Sequence, residues 1–87
     1  MYVVRIAKKA YKQIDFLRSA GLLERVNLLI DILRQNPYQT PPAYEKLYWD
    51  LEGKYSRRIN QQHRLVYKVN DELHEVLIQS MWTHYEK

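Results

Sequence analysis

The groups in this 87-residue chain that could do chemistry are three histidines, ten Asp+Glu, fourteen Lys+Arg and eight tyrosines, with no cysteine among them. Thiolate catalysis and a disulfide scaffold are therefore excluded. His63, His74 and His84 are scattered without ligand spacing, so neither a metal nor another cofactor is expected. The sequence has no Gly-rich phosphate loop and no nucleophile-elbow serine. Any catalysis must run on carboxylate, imidazole, guanidinium and phenol groups. RNA cleavage suits that inventory, because the ribose 2′-hydroxyl already lies beside its phosphate. A base, an acid and an arginine to neutralise the phosphorane are enough.

The charge distribution is compatible with a polyanionic partner. Net charge is +4, and residues 44 to 70 carry six Lys/Arg against three acids, whereas 71 to 87 carry Lys87 against Asp71, Glu72, Glu75 and Glu86. Eight tyrosines and two tryptophans could stack on bases as well as pack a core. Mild basicity is more often a solvated surface, so this signal is weak alone. The longest apolar run of the helical region, Leu28 to Ile30, is closed by Asp31, far short of the roughly 20 residues of a membrane span. Basic residues follow a strand-like Tyr2-Val3-Val4, so the N-terminus reads as structural rather than as a leader. A cytoplasmic, membrane-free protein with a single domain over residues 1–87 is expected.

Positioning such groups falls to two kinds of element. Tyr2 to Ile6 reads as a first strand. Ala7, Ala10, Ile14 and Leu17 recur at helical steps with Lys8, Lys9 and Lys12 off the stripe, giving a first helix that ends near Ala20 before Gly21. Leu22, Val26, Leu29, Ile30 and Leu33 make a second stripe, stopped by Asn36-Pro37. Beyond Pro41-Pro42, strands are predicted near Tyr44 to Tyr48, Lys54 to Asn60, Arg64 to Val69 and Leu73 to Trp82. Turns fall at Leu51-Glu52-Gly53, Gln61-Gln62-His63 and Asn70-Asp71. The fold class is α+β: two N-terminal helices on one face of a mostly antiparallel, four- to five-stranded twisted sheet, in the order β-α-α-β-β-β-β.

The hairpin around Gln61-Gln62 admits a register argument. A two-residue loop would pair Ile59 with Arg64 and leave neither face apolar. A three-residue loop pairing Asn60 with Arg64 puts Tyr55, Ile59, Leu65 and Tyr67 on one face and Ser56, Arg58 and Arg64 on the other. This second register is preferred, since one face must pack on the helices. It leaves Arg57 on the core side, from which it is expected to snorkel to the rim.

The run Leu51-Glu52-Gly53-Lys54-Tyr55-Ser56-Arg57-Arg58-Ile59-Asn60-Gln61-Gln62-His63-Arg64-Leu65-Val66-Tyr67, preceded by Tyr44-Glu45-Lys46-Leu47 and followed by His84-Tyr85, resembles the YoeB/Txe toxins of the RelE/ParE superfamily. The resemblance implies a RelE/ParE-like fold and a toxin of a type II toxin–antitoxin system. It further implies a ribosome-dependent, metal-independent messenger-RNA endonuclease that cuts in the decoding site and so inhibits translation. By motif position, Glu45 resembles the family's general base, Arg64 its phosphate-stabilising residue, His84 its general acid and Tyr85 the aromatic that completes the site. Arg58 matches a second basic residue, with Lys46 and Tyr48 as further substrate contacts. Where the family can place a lysine after the motif leucine, Leu47, this chain has Tyr48 and Trp49, exchanging a charge contact for a stacking one. The implied partners are a YefM-like antitoxin, the 70S ribosome with its mRNA, and operator DNA only through the antitoxin complex; a homodimer is a further assembly the family allows.

Two other readings compete. ParE-like toxins share the fold, lack the base/acid pair and poison DNA gyrase, and Glu45 with His84-Tyr85 argues against that class. A basic RNA-binding module without catalysis would use the same charges and tyrosines. By itself Glu45 would be a solvated carboxylate and His84 a surface histidine, and only the motif raises them. His63 reads as a turn or packing residue, His74 as solvated, and Tyr55, Tyr67 and Trp82 as core or hairpin residues.

Overall fold

The structure is a computed structural model that describes residues 1–48 and 53–82. The predicted turn residues Leu51 and Glu52, as well as Trp49, His84 and Tyr85, lie outside the described residues. The elements are β1 (Val3–Ile6), α1 (Lys8–Tyr11), α2 (Ile14–Ser19), α3 (Leu23–Gln35), β2 (Tyr44–Lys46), β3 (Lys54–Arg58), β4 (Arg64–Asn70) and β5 (Glu75–Ser80). The five strands form one sheet in the order β1-β5-β4-β3-β2. Only the β1–β5 pair is parallel; the other three pairs are antiparallel. The predicted α+β layering is thus what the chain adopts.

The first predicted helix is divided in two. Lys12 and Gln13 form a tight turn in which the Gln13 amide bonds back three residues to the Ala10 carbonyl, at 2.9 Å. The Gln13 side chain is drawn across to the sheet, where its Oε1 accepts the Met81 N–H at 2.7 Å. The stripe survives the break, with Ala10 and Leu17 fully buried, and Gly21 closes the segment at φ +75°. In α3 the predicted stripe buries Val26, Leu29 and Leu33, and the helix stops at Asn36 before Pro37. These side chains pack on Leu65, Tyr67, Val76 and Ile78 of β4 and β5 to make the core. Among the described residues no helix is long and apolar enough to cross a membrane.

The β3–β4 register departs from expectation by two residues. Tyr55 pairs with Tyr67, Arg57 with Leu65, and Arg58 with Arg64. The loop is three residues long, as expected, but it is 60–62, closed by the Ile59 N–H bonding the His63 carbonyl at 2.9 Å. Asn60 causes the shift: its Oδ1 accepts the amides of Gln62 and His63 at 2.8 and 2.7 Å, so Asn60 heads the turn instead of pairing in the strand. A shift of two preserves parity, so the apolar and basic faces are the predicted ones. On β5 the pairing steps from Tyr67–Ile78 to Val66–Ser80, skipping Gln79 as a bulge.

Arg57 does not snorkel. It is fully buried, because the chain between α3 and β2 folds over it and offers carbonyl acceptors. Its Nη1 donates to Pro42 O at 2.7 Å, its Nη2 to Pro37 O and Gln39 O, both at 2.9 Å, and its Nε to the Tyr67 hydroxyl at 3.2 Å. The ring of Tyr44 lies 5.1 Å from the guanidinium carbon. A buried charge is tolerable only when its donors are used, and four hydrogen bonds use them here.

Candidate active site

The helix-free face of β2, β3 and β4 brings together several of the residues singled out in the sequence. Glu45 sits in the middle of β2 and pairs with Ser56 of β3, while Arg58 and Arg64 face each other at the ends of β3 and β4. Alternation along each strand therefore puts Glu45, Ser56, Arg58 and Arg64 on one surface. Arg64 Nη1 donates to Ser56 Oγ at 2.9 Å and lies 3.4 Å from Glu45 Oε1. The serine is buried, the arginine side chain is 22% exposed and the glutamate side chain 64% exposed. Such an exposed ion pair adds little to stability, so the carboxylate stays accessible to a substrate. The guanidinium is also held from below by a neutral acceptor, the Ser56 hydroxyl, which gives it direction without adding a second negative charge.

Other predicted residues fall elsewhere. Arg58 is exposed beside Arg64, in keeping with a second anion contact. Lys46 pairs with Tyr55 and takes the opposite parity from Glu45, toward the face that carries Tyr44 and Arg57. Tyr48 lies two residues past the end of β2 and is 62% exposed. His84 and Tyr85 lie outside the described residues, the last of which is Trp82. Trp82 stacks on His63 with ring centroids 3.9 Å apart, and its carbonyl is hydrogen-bonded by His63 Nδ1. Its other neighbour is Phe16 of α2, at 5.4 Å. His63 is thus the packing residue expected of it.

What the face can do chemically is limited by what it holds: a carboxylate able to accept a proton, and a guanidinium within 3.4 Å of it able to hold an anionic phosphate. Residues 7–85 match the family described as YoeB-like toxin of bacterial type II toxin-antitoxin system. The chain belongs to the YoeB toxin family. Toxin YoeB of Synechocystis sp. is 42% identical over 66 residues, which are 76% of this chain and 74% of that protein. Among solved structures, the YoeB/ParE toxin from Agrobacterium tumefaciens superposes with a TM-score of 0.85 at 26% identity, covering 95% of this chain and 99% of that one. The YoeB-YefM complex from Staphylococcus aureus gives a TM-score of 0.80 at 30% identity, covering 98% and 99%.

Two residues of this YoeB-family chain matter to the site beyond those predicted. Ser56 falls on the basic face by parity with no role expected of it, and its hydroxyl is the acceptor that aims Arg64. Arg57 is expected at the rim and is instead fully buried. Its signal was the conflict itself: a charge on the apolar side of a central strand needs a built partner set, and the carbonyl-rich Pro37 to Pro42 segment is the nearest supply.

Proposed function

We propose that this YoeB-family toxin is a ribosome-dependent messenger-RNA endonuclease that works without metal. The observation carrying the proposal is the contact of Glu45 with Arg64 over Ser56 on a basic sheet face free of helices. In this reading the Glu45 carboxylate removes the proton of a ribose 2′-hydroxyl as that oxygen attacks the adjacent phosphorus. Arg64 holds the non-bridging oxygens as negative charge grows on them. His84 delivers a proton to the departing 5′-oxygen, and Tyr85 completes the site. The bond between phosphorus and the 5′-oxygen breaks, leaving a 2′,3′-cyclic phosphate on one fragment and a 5′-hydroxyl on the other. Arg58 takes a neighbouring phosphate, and Tyr48 stacks on a base where a lysine would have made a charge contact. Lys46 contributes to backbone binding from the rim of β2.

The partners follow the same reading. A YefM-like antitoxin holds the toxin inactive, and operator DNA is engaged only by that complex; the YoeB-YefM complex known for the S. aureus protein supports this assignment. The site of action is the decoding site of a translating ribosome in the cytoplasm.

The test is 5′-end mapping of a defined messenger incubated with the purified protein, with and without programmed ribosomes, beside Glu45→Gln and His84→Gln. Discrete cuts that need the ribosome are expected from the wild type. Each variant is expected to cut about 100- to 10,000-fold more slowly, the usual worth of general acid–base catalysis, with ribosome binding retained. Full cleavage by both variants would remove these two roles. No cuts from the folded wild type would redirect attention to gyrase, through a supercoiling assay.

A further inference from the structure

We infer that Arg57, buried on the far side of the sheet from the reacting groups, is a positioning residue that sets the place of Glu45. This rests on the proposed function, since it assigns Arg57 a role in the same site. β2 is only three residues long and lies at the edge of the sheet, so among the described residues one side of its backbone has no neighbouring strand. A strand so short is poorly fixed by its ladder to β3 alone. The base, however, is its middle residue. Something else must hold the strand to a fraction of an ångström if Glu45 and Arg64 are to stay 3.4 Å apart.

Arg57 is built for that task. It lies directly across from Tyr44 in the β2–β3 register, one residue from the Glu45–Ser56 pair. Its guanidinium grips the chain leading into β2 at three carbonyls, those of Pro37, Gln39 and Pro42, the last only two residues before Tyr44. The planar fork can span acceptors spread over six residues, which a lysine ammonium cannot do. Tyr67 completes the arrangement: its hydroxyl accepts from Arg57 Nε and donates to Pro37 O at 2.9 Å, tying the same segment to the central strand β4. Tyr38, in the same segment, donates to Asp71 Oδ2 at 2.9 Å and fixes its other flank. No carboxylate accepts from Arg57 in this set. Its charge is spent on peptide dipoles, and what those bonds determine is where β2 begins.

The experiment compares wild type, Arg57→Lys, Tyr67→Phe and Glu45→Gln, with each of the first two variants also made in the Glu45→Gln background. Single-turnover cleavage on programmed ribosomes is read at saturation and as a half-saturating concentration. Amide hydrogen exchange is followed at residues 43–46 and in β5. Arg57→Lys is expected to slow cleavage at saturation by about 10- to 100-fold, the scale of a misplacement near 1 Å. The half-saturating concentration should stay unchanged, and exchange should speed up at 43–46 but not in β5. In the Glu45→Gln background the same change should cost less than about twofold, because a residue acting through Glu45 has nothing left to position. Tyr67→Phe should show the same pattern at smaller amplitude and carries the test if Arg57→Lys does not fold. Multiplying losses in the double variants, or unchanged exchange at 43–46 in a protein that cuts normally, would overturn the clamp alone. A wild type that makes no ribosome-dependent cuts would overturn the proposed function and Arg57's part in it together.

Discussion

Arg64 and Ser56 illustrate how a charged side chain is aimed by a neutral neighbour. A serine hydroxyl gives the guanidinium a direction without neutralising it, whereas a buried carboxylate in the same place would fix the arginine and quench it. Ser56→Ala should therefore leave the fold nearly intact, costing about 1 kcal/mol by urea denaturation. It should slow single-turnover cleavage by about 10-fold with ribosome binding unchanged; an unaltered rate would show that Ser56 does not aim Arg64. At this scale the sequence was legible wherever parity alone decides, which is why Arg58 and Arg64 are found together on the helix-free face. It was not legible for Arg57, because the partners of that side chain are backbone carbonyls from a segment 15 to 20 residues earlier. Carbonyls carry no sequence identity, so no residue type announces them.

The elements are joined by turns whose chemistry the sequence states with uneven clarity. Gly21 and Gly53 both occupy the left-handed region, at φ +75° and +90°, and a Cβ at either would meet open space. Replacing Gly53 with alanine should thus cost only the backbone strain, about 1 kcal/mol, read as a lower urea midpoint at unchanged m-value. A larger loss would mean that the turn before β3 is tighter than its dihedral implies. The positions of these two glycines were readable because only glycine accepts such a backbone freely. Asn60 was harder to read: as a strand residue it extends β3 by pairing with Arg64, and as a turn residue it binds two amides ahead of it. Local hydrogen bonding won, and the register moved by two. The break between α1 and α2 was hidden for the opposite reason, since the side chain at the break, Gln13, accepts from the Met81 N–H, 68 residues away.

At the scale of the whole molecule, the aromatic cluster of Tyr38, Tyr44, Tyr55 and Tyr67 links the segment before β2 to the centre of the sheet. Burial pushes the Tyr67 phenol up to about 12, against the opposing pull of Arg57, and burial together with the Asp71 carboxylate also raises Tyr38. A phenol that holds its proton more tightly when folded stabilises the protein fully below the ordinary tyrosine value of 10.0, and that contribution fades as pH rises from there toward 12. Unfolding free energy should accordingly fall across this window by up to about 3 kcal/mol on account of Tyr67. Tyr67→Phe should flatten the decline, and an equally steep decline in that variant would assign it to other groups.

The bulge at Gln79 also decides which faces the end of β5 presents. Val76 and Ile78 face the helices, and simple alternation would send Ser80 the same way; the extra residue reverses the phase, so that Ser80 comes to lie opposite Val66 and Met81 enters the core. The same residues paired without the bulge would still form β5 and still meet β1. Their end would arrive inside out, with the methionine on the helix-free face and the serine against the helices. Loss of Gln79, by contrast, would put Ile78, Ser80 and Met81 in regular alternation on the faces they already occupy, so this strand accepts a shorter chain more readily than a straightened bulge.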